Sequence, residues 1–416
     1  MRYALICLLV FGATSWAGNQ LPVIDPVAFN VNARYTVESV ELSNEIESRI
    51  SRGLRQDLEQ LIGQKLNPSA LNDLARRIRN ELNVRTVSQR VLRGNTPGHV
   101  KVVMELAHQR GEFDLSVPTL LYQSAEGFSA TVNGTVRVGN NRFTAGLVSD
   151  ADELVERYTG VRARYENRRL GTDRVRLSFE FDSYHDQWNL STRNSISGNG
   201  TIPALYRSRE NFQPLATVLL ARPLTLSFGT SFQQLEPESP GTHTQSANAV
   251  ITNLGYRRRS EGGIVDEKEV EADYSLRAAT KALNSDFAYS RHRWALRYSV
   301  SRGKHVLSDQ AVAGVMTGRA PLFERFVLGD SSMLRGWNKF ELDPLGGSRV
   351  AHNSLEYRYG MFEVFYDTGA IWDPGQDVVA RHSVGAGLRK GSFQIAMAFP
   401  LREGRISPTL MVGMNY

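Results

Sequence analysis

From Gly111 to the end of the chain the sequence is a succession of roughly ten-residue segments in which apolar and polar residues alternate. In Arg174 to Asp182, Val175, Leu177, Phe179 and Phe181 share one face, and Arg174, Arg176, Ser178, Glu180 and Asp182 the other. Glu269 to Arg277 sets Val270, Ala272, Tyr274 and Leu276 against Glu269, Glu271, Asp273 and Arg277. One such segment does not separate a soluble sandwich from a membrane wall, since either has one apolar face. The number of segments does. Sixteen are readable, an even number, as a closed single-chain transmembrane β-barrel requires.

The segments are expected near residues 113–122, 129–138, 142–150, 156–168, 173–184, 213–222, 224–235 and 247–258, then 268–280, 286–302, 305–317, 349–359, 362–372, 381–390, 392–400 and 408–416. The segment 286–302 changes phase between Tyr289 and Trp294, which predicts a bulge or an extra-long strand. The longest connections, 185–212, 236–246 and 318–348, follow the fifth, seventh and eleventh segments, so all emerge at one rim, where long outer loops belong. An apolar fraction of 41% and a mean hydropathy of −0.32 look soluble. A barrel gives the same values, because only alternate residues meet lipid. The net charge of +6 comes from arginines scattered among apolar residues, so it predicts lumen and rim groups and no nucleic-acid partner.

Ahead of the barrel pattern lies a different one. Arg2 and the apolar run Ala4–Ala13, followed by Ser15-Trp16-Ala17, predict a signal peptide over residues 1–17. The run is too short to span a bilayer as a helix. Cys7, the single cysteine, lies within it, so the mature chain is expected to lack disulfide and thiol chemistry. Residues 18–33 read as an extended lead-in, too short for an attached hydrolase. Residues 34–108 read as a small β-α-α-β-β domain. Its strands are expected near Tyr35–Leu42, 86–93 and 100–107, the last two as sheet edges. One helix is expected over 48–66, burying Ile50, Leu54, Leu58, Leu61 and Ile62. A second is capped by Asn67-Pro68 and buries Leu71, Leu74, Ile78 and Leu82. The barrel is expected over 111–416.

The connection 318–348 contains Leu328-Gly329-Asp330-Ser331-Ser332-Met333-Leu334-Arg335-Gly336-Trp337, an arginine before a glycine–aromatic turn. Downstream, Glu356 shares a strand face with His352, Ser354 and Arg358, and Asp367 shares one with Glu363 and Phe365. If those faces line the lumen, carboxylates on neighbouring strands can hold Arg335 from a loop folded inward, a task for which the guanidinium fork suits better than an ammonium. No metal-ligand spacing, phosphate loop or nucleophile elbow is present. His185, near Asp182, Ser183 and Asp186, is the strongest candidate for catalysis and reads better as solvated rim. The chain is therefore expected to be no enzyme and to need no cofactor.

These residues resemble the Omp85 superfamily, the bacterial surface antigen D15 type, in which periplasmic POTRA domains precede a sixteen-stranded barrel. The family's arginine–glycine–aromatic loop motif falls on Arg335, Gly336 and Trp337, with tryptophan in place of the usual phenylalanine or tyrosine. Its glutamate and aspartate partners fall on Glu356 and Asp367, the latter followed by Gly369, and its terminal aromatic on Tyr416. The resemblance implies a Gram-negative outer-membrane protein with one POTRA-like domain in the periplasm. It would insert or translocate a client polypeptide, in contact with outer-membrane lipid and possible accessory proteins, through a seam between the first and last strands. The alternative is a passive pore or structural barrel with a periplasmic scaffold domain.

Overall fold

The computed structural model describes residues 34–416 apart from 48, 83–86, 107–111, 173, 198–203, 240, 262–265, 403, 405–406 and 415–416. The expected signal peptide, the lead-in and Tyr416 lie outside the described residues. The chain divides into two units, Met1–Gln109 and Arg110–Tyr416.

In the first unit, β1 (Thr36–Leu42), the short α1 (Asn44–Glu47), α2 (Arg52–Glu59), α3 (Pro68–Leu82), β2 (Val87–Arg93) and β3 (His99–Leu106) follow in order. Both helices start where the sequence supplies a cap. Ser51 Oγ accepts from the Leu54 amide, and Asn67 Oδ1 from that of Ser69, with Pro68 in the first turn where its missing N–H costs nothing. Their apolar stripes close over the sheet. Leu54, Leu58, Leu71, Leu74 and Ile78 bury against Val37, Val100, Val102 and Met104.

The helix expected over 48–66 is shorter, and Ile62 is exposed. The helix ends at Glu59, and from Gly63 onward the backbone pairs with the β1 side of the sheet. Gly63 N–H donates to the Val37 carbonyl, and the Val37 amide donates to that of Gln64. The sheet order is β1-β3-β2, with β1 and β3 parallel and β2 antiparallel to β3. Strand β3 is therefore central, not the edge expected from the sequence. Because residues 63–66 cover part of β1, the open edge among the described residues is β2.

The second unit is a closed antiparallel barrel. Its strands are β4 (Glu112–Gln123), β5 (Gly127–Val138), β6 (Asn141–Asp150), β7 (Arg157–Asn167), β8 (Val175–Gln187), β9 (Tyr206–Ala221) and β10 (Leu224–Pro237). After the two-residue β11 (Gln245–Ser246) come β12 (Ala249–Glu261), β13 (Glu267–Ala279), β14 (Ala288–Arg302) and β15 (His305–Arg319). The wall finishes with β16 (Arg349–Tyr359), β17 (Phe362–Trp372), β18 (Arg381–Lys390), β19 (Phe393–Pro400) and β20 (Thr409–Met414). Leaving out β11, that is sixteen long strands.

Alternation places Phe113, Leu147, Phe228 and Trp294 on the outer face, and Arg162, Asp182, Glu363 and Asp367 within. Tyr357, Tyr359, Phe362 and Phe393 sit outward beside tight turns at one rim, as an interfacial aromatic girdle does. The long connections gather at the opposite rim, the loop rim.

One expectation is corrected, and another is resolved in favour of its second alternative, the extra-long strand. Strand β9 starts at Tyr206, earlier than residue 213, and the helix α4 (Leu190–Ser197) occupies part of the connection before it. Strand β14 has no bulge. Its register with β13 and β15 is unbroken, and at fifteen residues it is simply long. Tyr289 points into the barrel and is buried there, so the lumen near the loop rim is packed, not wet. The filling consists of Leu322, Phe323, Phe326, Leu328 and Leu334 from the 318–348 connection, against Leu154, Tyr158, Tyr184, Tyr206, Leu235 and Tyr289.

Candidate functional site

The connection between β15 and β16 enters the lumen as a folded hairpin. Phe326 and Gly347 exchange backbone hydrogen bonds at its neck (2.9 and 3.0 Å), and the short α5 (Lys339–Leu342) lies on its return limb. At the tip, Asp330 accepts from the amides of Ser332 and Met333 (2.8 and 2.6 Å), and the Gly329 N–H donates to the Met333 carbonyl. Leu334 and Gly336 both take positive φ, 57° and 93°. These turns point the Arg335 side chain at the wall. A side chain at position 336 would suffer twice, from that backbone conformation and from Ala398, whose atoms lie 3.1 Å from where its Cβ would stand.

Arg335 is 7% exposed and fully engaged. Its Nε donates to Asp367 Oδ2 at 2.9 Å and its Nη2 to Asp367 Oδ1 at 2.8 Å, the bidentate pairing of a guanidinium with a carboxylate. Its backbone N–H donates to the same carboxylate (3.0 Å) and its Nη2 also to Ser354 Oγ (3.0 Å). Glu356 stands 3.6 Å from Nη1, and the Phe365 ring lies beneath the guanidinium with its centroid 3.5 Å from Cζ. The Leu334 N–H donates to His352 Nε2 (3.0 Å), which makes that histidine an acceptor. The network continues along the wall. Glu356 faces Arg389 at 3.8 Å, and Arg389 pairs with Glu363 at 2.9 Å. Alternating charges leave no buried ion of this string alone.

Three of the site residues expected from sequence therefore meet, while Tyr416 lies outside the described residues. Arg335, Glu356 and Asp367 form one buried constellation. Gly336 turns the tip, and the Trp337 Nε1–H donates to the His382 carbonyl (2.8 Å). Gly369 leaves room for Leu328, whose methyl carbons lie 3.1 Å from where a Cβ at 369 would stand. Strand alternation separates His185, which is exposed, from the buried Asp182 and Asp186, so the structure does not assemble that group. Asp182 instead takes Arg162 at 2.8 Å. Among the described residues no group of side chains suits a metal ion.

Several residues holding the loop gave no sequence signal. Arg209 stacks on Tyr158, Tyr184 and the loop's Phe323. Arg277 pairs with Glu324 at 3.0 Å, and Arg291 lies over Phe326. Each looks in sequence like any lumen arginine. Lys339, 1% exposed, pairs with Glu126 in the β4–β5 turn at 3.5 Å and donates to the Ala151 carbonyl.

The second feature is the closure. Strands β20 and β4 pair over only four positions, Met411–Met414 with Leu120–Gln123, extended at the loop rim by Ser124 N–H donating to the Leu410 carbonyl. Among the described residues β20 has six and β4 twelve. Beyond Leu120 the pairing of β4 with β20 stops among the described residues, while its pairing with β5 continues. Its register shifts between Ser116 and Thr119, around Pro118, which has no N–H to offer.

The Omp85 superfamily domain matches residues 131–404. The outer membrane protein assembly factor BamA of Nitratidesulfovibrio vulgaris is 32% identical over 128 residues, covering 24% of this chain and 16% of that protein. The chain thus spans about a sixth of that relative's length. Among solved structures, BamA from Haemophilus ducreyi lacking POTRA domains 1–3 is similar at a TM-score of 0.55 and 14% identity, with 91% of this chain and 84% of that one covered. CdiB from Acinetobacter baumannii gives 0.53 and 13%, with coverage of 91% and 74%. These two likenesses reach through the whole barrel where the sequence relative reaches only part. The described sixteen-stranded wall, the inward-folded arginine loop and the domain match agree, and the chain belongs to the Omp85 superfamily, an outer-membrane β-barrel with a small periplasmic domain.

Proposed function

We propose that this protein inserts or translocates client polypeptides at the outer membrane, using the β20–β4 seam as the place where the wall admits a client strand. The observation that carries this reading is the mismatch of the two seam strands. The six described residues of β20, at about 3.3 Å each and tilted, are fewer than the roughly nine to eleven with which a strand crosses a hydrocarbon layer. Among the described residues the β20–β4 ladder thus stops at Leu120, short of the membrane-facing Phe113, Leu115 and Val117. Unpaired amides and carbonyls are costly in lipid, so an extended client that supplies partners is bound there by β-augmentation. Phe113 and Leu115, both about two-thirds exposed on the outer face, keep that edge in the apolar layer.

Strand β2 offers a second open edge, in the periplasmic unit, for the same kind of partner. The Arg335 constellation acts as structure: it fixes the loop and does no chemistry, and the protein works without a cofactor and not as an enzyme. A passive pore fits less well, since the lumen near the loop rim is packed with Phe323, Phe326, Leu328 and Tyr289. Outer-membrane lipid is a contact in either case, and accessory proteins are compatible with both edges.

Site-specific photocrosslinking in intact cells tests the proposal, with the probe at Val91, Leu115 or Leu410 and mass spectrometry of the adducts. Capture of unfolded outer-membrane or secreted polypeptides at the strand edges is the expected result. Capture of lipid and the protein itself alone, under conditions where the protein is needed, returns the reading to a structural barrel.

A further inference from the structure

The inserted loop touches both sides of the seam. On one side the Thr409 hydroxyl, at the start of β20, donates to the Gly336 carbonyl at 3.3 Å. On the other, Lys339 donates to the Ala151 carbonyl in the β6–β7 connection and pairs with Glu126 in the turn that joins β4 to β5. Only two residues, Trp337 and Asn338, separate the two anchor points in the loop. We propose that the loop is a clamp across the seam, gripping the last strand at Gly336 and the first hairpin at Lys339, and that ionisation of the acids around Lys339 releases the second grip. This deepens the reading of the seam as the working site and rests on it.

The chemistry around Lys339 is unbalanced. Glu126, Asp152 of the β6–β7 connection and Asp330 of the loop tip converge on a single ammonium in a dry pocket. Lys339 is 1% exposed, its partner Glu126 4% by side chain, and Glu126 Oε1 is buried without a hydrogen-bond partner. Ser331 N–H donates to Asp152 at 3.3 Å, tying the second acid to the loop. The other charged groups facing the cluster are Asp150, at the end of β6 and beside Asp152, and Arg293 of β14, which faces Asp330. Asp150 holds the Tyr158 hydroxyl at 3.0 Å. One lysine can neutralise only one carboxylate of the three, so burial of the cluster favours protonated acids.

Burial, reinforced by the neighbouring acids against the pull of Lys339, pushes Glu126 up to about 8 and Asp330 up to about 7, and raises Asp152. Carboxylates raised in the closed state bind protons that the open, solvated state gives up near the ordinary carboxylate range. The closed state is therefore favoured fully at low pH and loses that advantage as pH rises toward and through 7–8. Alkaline conditions loosen the clamp, and acid closes it.

Spin labels at Leu120→Cys and Met414→Cys, on the full chain in lipid nanodiscs, read the seam by short-range dipolar broadening. No client is present, so the result does not depend on whether the protein handles polypeptides. Lys339→Met should raise the open fraction about tenfold, because a buried carboxylate loses its counter-charge. Lys339→Arg, which keeps the charge, should stay near the parent. In the parent the open fraction should climb from about pH 5 and level off above about pH 8, and Glu126→Gln should flatten that climb. An unchanged seam in Lys339→Met, or no pH response in the parent, overturns the clamp. If Lys339→Met fails to fold, as judged by heat-modifiable migration, the pH series of the parent and Glu126→Gln decides in its place. A seam that opens as expected while photocrosslinking finds no client would keep the clamp and sink the transport reading.

Discussion

The two sides of the barrel are built to different standards. On the back wall β13 pairs with β14 over thirteen positions and β14 with β15 over fifteen, both without a register shift. Across the seam, among the described residues, β20 meets β4 over four. Chemistry is not the difference, since both walls alternate apolar-out and polar-in and use the same backbone hydrogen bonds. What differs is the length over which donors and acceptors are satisfied inside lipid, where each unmade bond is expensive. A barrel can hold fifteen junctions tightly and leave one weak, and the inserted loop, which leans on the weak one, then decides how weak it is.

The largest test of that contrast is to remove it. A disulfide between Leu120→Cys and Met414→Cys locks the seam, and the expected outcome is loss of client handling that returns on reduction. A matching bond between Trp294→Cys and Ala313→Cys, paired residues of the back wall, should leave handling intact. Equal loss from both bonds would remove any special role for the seam.

Asp367→Asn strips the counter-charge from Arg335 while keeping the shape. Breaking a buried pair typically costs about 3–5 kcal/mol, so the urea midpoint of the barrel in micelles should fall accordingly. Arg335→Lys keeps the charge but loses the fork, and should fall by a smaller amount, about 1–3 kcal/mol, the worth of a lost charged hydrogen bond. Gly413→Ala would set a Cβ 2.3 Å from the Leu120 carbonyl oxygen across the seam. Overpacking of that kind costs about 1–3 kcal/mol, and here it should appear as a more open seam with the back wall untouched. The smallest perturbation is none at all. In the unsubstituted protein, amide hydrogen exchange should be fastest in β20 and in Glu112–Val117, and slowest in β13–β15. Uniform protection around the wall would contradict the pairing lengths.

What the sequence determined by itself was everything written in local periodicity. Alternation along Arg174–Asp182 and Glu269–Arg277 assigned faces correctly, and the number of alternating segments implied closure. Asn67-Pro68 marked a helix start, and the spacing of Glu356 and Asp367 put two acids where Arg335 could reach them. Tertiary structure alone decided the rest. The apparent phase change at Tyr289 arose because a distant loop fills the lumen there, so an inward position is apolar without any bulge. The helix expected through Leu66 stopped early because residues 63–66 found backbone partners on β1, and β3 became central because a parallel strand joined it from the far end of the unit. Neither Lys339 and its three acids nor the four-residue seam is legible in any local stretch, since both depend on where residues far apart in the chain meet. Periodicity reports which way a side chain faces. What it faces, and how far two strands overlap, is settled only when the barrel closes.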